Sequence, residues 1–144
     1  MHSVYIITTE HPLYQLVLAL RQKVLREPLG MDIRNDDLAA EQEQIIFIYE
    51  EEGRVLGCVL LQHYDAETFK LRQMAVDPSL QGKGLGTLLI NAADLYAVQL
   101  GKHKILLHAR ETAVPFYRKL GYETTGAPFT EVGLPHRVME KVLI

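Results

Sequence analysis

A chain of 144 residues holds one hydrophobic core of ordinary size, so a single domain spanning residues 1–144 is expected. Its 48% hydrophobic and 23% charged residues give a globular composition, which excludes intrinsic disorder. A net charge of −3, with basic residues scattered along the chain, speaks against nucleic acid as a partner, because such a surface needs a basic stripe.

The opening Met1-His2-Ser3-Val4-Tyr5 lacks the basic start and long apolar stretch of a signal peptide. Val4 to Thr8 is β-branched and aromatic, as a strand requires. Leu13, Leu16, Val17, Leu20 and Val24 then recur at helical spacing and predict an amphipathic helix from about His11 to Arg26, ended by Pro28 and Gly30. The polar, acidic stretch 31–44 has room for a short second helix at Leu38-Ala39-Ala40. Ile45 to Tyr49 and Val55 to Leu61 read as strands joined by a turn at Glu52-Gly53. Cys58, in the second of them, reads as a small buried hydrophobe. As the sole cysteine it can form neither an intramolecular disulfide nor a cysteine-rich zinc cluster; without an H-x-x-x-H pair, no metal site is expected. After a turn over Tyr64 to Thr68, Phe69 to Val76 completes an antiparallel meander. Asp77-Pro78 stops it, since proline donates no ladder hydrogen bond.

From Gly84 the period returns to helical, with Leu85, Leu88, Leu89, Ala92, Tyr96 and Leu100 on one face and Gly101 as the closing residue. Ile105 to Ala109 is a short buried strand. Thr112 is placed to cap a last helix that carries Pro115 in its first turn and ends at Leu120-Gly121. Tyr122 to Thr125 and Arg137 to Leu143 are closing strands around a turn at Gly133-Leu134-Pro135. No segment has the length of a membrane span, so no membrane partner and a cytoplasmic location are expected. The order predicts a mixed α/β fold: a central, mostly antiparallel sheet flanked by helices and splayed around the strand ending at Val76.

The segment Val76-Asp77-Pro78-Ser79-Leu80-Gln81-Gly82-Lys83-Gly84-Leu85-Gly86-Thr87 joins that strand to the long helix. The first amides of a helix have no intrahelical partner, and the helix dipole adds partial positive charge there. Gly82, Gly84 and Gly86 keep side chains out of the approach, so a pyrophosphate can sit directly on the backbone, with Lys83 either adding charge or pointing into solvent. The spacing Gly82-x-Gly84-x-Gly86 departs from the dinucleotide fingerprint G-x-G-x-x-G, and no Lys-Ser/Thr pair follows the last glycine as in a Walker loop.

These residues resemble the GNAT superfamily of acyl-CoA-dependent N-acetyltransferases. The family signature is Q/R-x-x-G-x-G/A after an apolar-Ala-Val-x-Pro strand end; Gln81-Gly82-Lys83-Gly84-Leu85-Gly86 fits it, preceded by Met74-Ala75-Val76-Asp77-Pro78. A second family segment, A-x-x-F-Y-x-K-L-G-F/Y, is matched by Ala113 to Tyr122. The family's Asn three residues before that Ala is replaced here by Arg110, which puts an auxiliary cofactor contact in question. The closing Thr130 to Met139, with acidic Glu131 before Gly133-Leu134-Pro135-His136, is similar to the ElaA-like subgroup, as is the early Leu20 to Leu25.

The resemblance implies acetyl-CoA as the acetyl donor and a small-molecule or peptide amine as the acceptor. It implies that backbone around Met74, Ala75 and Val76 binds pantetheine and polarises the acetyl carbonyl, while Gln81, Gly82, Lys83, Gly84, Leu85, Gly86 and Thr87 hold the pyrophosphate. Tyr117 matches the family tyrosine that protonates the departing thiolate. The base is open, with His108 and His136 as the leading candidates for a proton relay and Glu111 and Glu131 behind them. The strand ending at Ala109 is expected to put His108 and Arg110 on opposite faces, with the turn at Gly133 bringing His136 and Glu131 to the same rim. The competing reading is a non-catalytic acyl-CoA sensor or docking module, and a homodimer is the prior for assembly.

Overall fold

Alternation along the strands decides which side of the sheet each helix covers. The computed structural model describes residues 2–143, so Met1 of the N-terminal reading lies outside it. The strands are β1 (His2–Ile7), β2 (Ile45–Glu51), β3 (Arg54–Asp65), β4 (Thr68–Val76), β5 (Lys104–Arg110), β6 (Glu123–Glu131) and β7 (Leu134–Val142). They form one sheet in the order β1-β2-β3-β4-β5-β7-β6, and every neighbouring pair is antiparallel except β4 with β5. Phe47, Val59, Leu61, Phe69, Leu71, Ile105 and Leu107 face α2 (Leu85–Gln99) and α3 (Val114–Lys119). Ile46, Ile48, Cys58, Leu60 and Ala75 take the opposite face and pack on α1 (Tyr14–Arg21), which runs on as a wider π-type turn through Gln22–Arg26. Period-two alternation thus builds a core on each side of one sheet. No helix of the described residues is long and apolar enough to cross a membrane.

Several boundaries differ from the sequence reading. A turn precedes α1, with the Leu13 N–H bonded to His11 Nδ1 at 3.0 Å, so the helix begins at Tyr14 rather than His11. Leu38-Ala39-Ala40 opens only a 3₁₀ turn, Ala39–Glu43. The hairpin between β6 and β7 turns at Val132 and Gly133, both with positive φ, so Leu134 and Pro135 already belong to β7. Thr112 caps nothing: Pro115 fixes the start of α3 at Val114, and Thr112 falls in the preceding 3₁₀ turn. On α2 the buried stripe runs through Leu85, Leu89, Ala93 and Ala97, at spacing four, which leaves Leu88 and Leu100 exposed.

The sheet opens between β4 and β5. Their parallel ladder covers only Thr68–Leu71 against Lys104–Leu107. Beyond it, Gln73 and Met74 on β4 together oppose one residue of β3, because pairing jumps from Leu60↔Arg72 to Cys58↔Ala75. This bulge holds Gln73 at φ +56°, a left-handed conformation that is costly for a side chain of its size. A bulge bends and twists its strand, and here it turns β4 away from β5. The β4 backbone groups that point toward β5 after Leu71 therefore have no strand partner, and they line a cleft.

Candidate active site

The cleft has a volume of about 900 Å³ and reaches from the glycine turn, through the splay, to the β6–β7 rim. At its first end Asp77 accepts from the Ser79 N–H at 3.0 Å and from Ser79 Oγ at 2.7 Å, which folds the chain sharply after Val76. Gln81 Nε2 ties the turn back to the Val76 carbonyl at 3.2 Å. Gly82 and Gly84 have φ of +79° and +82°, and a Cβ built on either meets nothing within 4 Å. Their left-handed backbone needs glycine, and its open side is free for a ligand. Gly86 is glycine for a different reason: a Cβ there would lie 2.8 Å from Met74 Cε and 3.1 Å from Phe116 Cζ. Of the three glycines expected to clear the amides, Gly86 instead lets α2 approach β4 and α3. The first amide of α2 with an intrahelical partner is Leu88, bonded to the Gly84 carbonyl at 3.1 Å, so those of Leu85, Gly86 and Thr87 precede the ladder. Lys83 is exposed beside them.

Tyr117 on α3 lines the middle of the cleft and is only 8% exposed. Its ring packs edge-on against Phe116 and Tyr122, at centroid distances of 5.0 and 5.9 Å. Burial raises the pKa of its phenol above the ordinary 10.0, so the hydroxyl keeps its proton. The neighbouring Tyr122 donates to Asp94 at 2.8 Å, and Asp94 is held by Lys141 at 2.7 Å. Tyr122 is thus satisfied inside the fold, whereas the Tyr117 hydroxyl has no hydrogen-bond partner among the described residues.

At the far end, His108 Nδ1 lies 2.9 Å from Glu131 Oε1, and its ring packs edge-on against Phe129 at 5.0 Å. His136, 4% exposed, donates from Nδ1 to the Leu134 carbonyl at 2.9 Å, and its Nε2 lies 3.7 Å from Glu131 Oε2. The expected meeting of His108, His136 and Glu131 is therefore present. The expected separation of His108 from Arg110 is not. Residues two apart on a strand share a face, and Ile105, Leu107 and Ala109 occupy the α2 side, so His108 and Arg110 both take the other. Arg110 pairs in register with His136. Glu111 sits outside this group, 4.0 Å from Arg137.

The remaining wall comes from Val24, Leu25 and Arg26, in the turn that follows α1, and from Leu71 to Met74 on β4, with a buried ion-pair network behind it. Arg21 is fully buried and forms two 2.7 Å hydrogen bonds to Glu41, which also accepts from the Tyr14 hydroxyl at 2.7 Å. Arg26 grips Asp36 through Nε at 3.0 Å and Nη2 at 2.7 Å. Arg72, next on β4, donates to the Gln44 side-chain oxygen at 2.8 Å. Burial lowers the Arg72 pKa, opposed by the nearby Glu41 and Asp36, and a guanidinium remains charged throughout.

A model of the GNAT acetyltransferase domain matches residues 21–143. The chain belongs to the GNAT acetyltransferases. It is 28% identical over 146 residues to the uncharacterized protein YyaT of Bacillus subtilis (strain 168), covering 94% of this chain and 92% of that one. A Lactobacillus plantarum protein provisionally described as an N-acetyltransferase superposes with a TM-score of 0.89 at 24% identity, covering 99% of both chains. Escherichia coli ElaA superposes at 0.84 and 17% identity, over 98% of this chain and 99% of that one, so the likeness to ElaA is one of fold. An aminoglycoside 6′-N-acetyltransferase complexed with coenzyme A superposes at 0.83 and 16% identity, over 99% and 97%. Three residues of this GNAT cleft were passed over in the sequence: Arg26, Arg72 and Gln73. The alternation Lys70-x-Arg72 inside a half-buried strand was a signal that two cations share one face. Nothing in the sequence marks Gln73 as left-handed.

Proposed function

We propose that the protein moves an acetyl group from acetyl-CoA to a primary amine. The observation that carries this reading is one cleft holding, in order, a left-handed glycine turn at a helix start, an unpaired strand edge, and a buried tyrosine whose hydroxyl has no partner among the described residues. The residues fit the coenzyme: the open side of Gly82 and Gly84 admits phosphate to the amides of residues 85–87. The free edge of β4 at residues 74–76 offers backbone bonds to the pantetheine. The fold likeness to an acetyltransferase complexed with coenzyme A supports that assignment.

When bound, the coenzyme supplies a thioester carbonyl and a sulfur leaving group. The chain's own groups do the rest. An alkyl ammonium titrates near ~10.4, so a base must take its proton before the nitrogen can attack. His108 fills that role, with Nδ1 held by Glu131 and Nε2 left without a partner among the described residues. The amine nitrogen bonds to the carbonyl carbon as the carbon–sulfur bond breaks, and the nitrogen's second proton passes to solvent to leave the neutral amide. Donors along β4 stabilise charge on the carbonyl oxygen. Tyr117, kept protonated by burial, gives its proton to the sulfur and recovers one from solvent.

The test is thiol release from acetyl-CoA with a panel of amino acids, polyamines, amino sugars and peptides. Release that depends on the added amine is expected. Coenzyme binding without release from any amine would overturn the reading in favour of a sensor.

A further inference from the structure

The charges around the acceptor end of the cleft do not balance. Three guanidiniums, of Arg21, Arg26 and Arg72, meet two carboxylates, of Asp36 and Glu41. Glu41 is taken by Arg21 and Tyr14, and Asp36 by Arg26, which leaves Arg72 with only the neutral Gln44 amide. The other wall repeats the excess. Arg110 has no carboxylate partner among the described residues, and the one acid at that rim, Glu131, is shared by His108 and His136. Lys70, on the Arg72 face of β4, also feels the charges of Glu131 and Arg72.

These cations are not placed for the coenzyme phosphates. Arg72 bonds Gln44 on the α1 side of the sheet, while the glycine turn feeds α2 on the opposite side. Arg110 shares the Arg72 side with His108. A half-buried guanidinium lacking a carboxylate is a costly arrangement that an incoming anion relieves, and its planar fork suits a carboxylate best.

Resting on the acetyl-transfer reading, we infer that the acceptor amine carries a carboxylate, bound by Arg72 and Arg110 while its nitrogen lies toward His108 and Glu131. The substrate class is an amino acid or similar acidic amine. Amines lacking the carboxylate leave the same guanidiniums unpaired and bind less well.

Matched pairs test this: L-lysine against 1,5-diaminopentane, L-tyrosine against tyramine, and glycine against methylamine, each assayed by thiol release. In at least one pair the carboxylated amine should have a kcat/KM higher by ~10-fold or more, from the charge-assisted bonds it gains. Arg72→Gln and Arg110→Gln should each pull that ratio toward one, mainly through KM, with coenzyme affinity by calorimetry unaltered. If Arg72→Gln does not fold, Arg110→Gln alone decides. Equal or better turnover of the decarboxylated partner in every pair overturns the inference, as does an unchanged ratio in a folded variant. Both outcomes leave acetyl transfer standing, because thiol release continues. Absence of coenzyme binding, or of release from any amine, removes the acetyl-transfer reading and this inference with it.

Discussion

Replacing Gly84 with glutamate, beside an alanine control, separates backbone strain from blockade of the proposed anion site. Gly84 has φ +82° and open space where a Cβ would go, so Gly84→Ala introduces strain without a clash. That strain is about 1–2 kcal/mol, or a loss of about 2–8 °C in Tm for a chain of this size. Gly84→Glu carries the same strain and adds a carboxylate at the start of α2. At roughly 5 Å from one phosphate charge, with an effective dielectric between about 80 and 20, the repulsion is about 1–3 kcal/mol. Coenzyme A should therefore bind about 5- to 150-fold more weakly to Gly84→Glu than to Gly84→Ala. Calorimetry on both proteins, after thermal melts show each folded, reads this ratio directly. Added salt should narrow it, because the new carboxylate sits at a solvent-open turn. Equal affinities in the two variants would refute the assignment of the cradle.

Tyr117→Phe removes one hydroxyl that has no hydrogen-bond partner among the described residues, so coenzyme affinity should stay within about twofold while single-turnover acetyl transfer slows by ~10²–10⁴-fold. Because burial raises the phenol's pKa above 10.0, the acid form persists through neutral and mildly alkaline pH, and any basic limb below about pH 10 should survive in the variant. Wild-type single-turnover rates in Tyr117→Phe would make the residue a packing group. Cys58 makes a separate prediction for stability. Its thiol is fully buried, which pushes the pKa from 9.0 up to about 12. The unfolded chain releases this proton near pH 9 while the native state keeps it, so the unfolded state binds fewer protons and stability falls as pH rises. The contribution is complete below pH 9 and is lost toward pH 12, at up to ~1.4 kcal/mol per pH unit. Between pH 8 and 11 the Tm of Cys58→Ala should decline less steeply than that of the wild type, and parallel curves would remove the thiol from the account.

Features whose cause is local were legible in the chain. The unbroken apolar run of β2 and the apolar period near four in α1 and α2 named those elements, because each pattern lies within a single element. The glycine turn was equally readable: Asp77, Pro78, Gly82 and Gly84 act on the backbone within a few residues of themselves. Tyr117 was named from the surrounding motif, since a lone tyrosine on a helix says nothing of its surroundings. Its neighbour Tyr122 looks much the same in sequence, and only the packing shows that Asp94 satisfies one hydroxyl while the other is left open.

What the sequence by itself determined, then, is the family-like order of elements, the glycine turn and the histidines that end near one rim. The tertiary structure alone decided the site's electrostatics and its opening. The Gln73 bulge depends on pairing between β3 and β4, and the cleft exists because β4 leaves β5 after Leu71. The balance of Arg21, Arg26 and Arg72 against Asp36 and Glu41 depends on α1 folding over a segment up to 27 residues away in sequence. Charges add through space with their distance and burial, whereas a sequence orders them only along the chain. The unmatched cations of the cleft therefore become visible only when the elements are packed together.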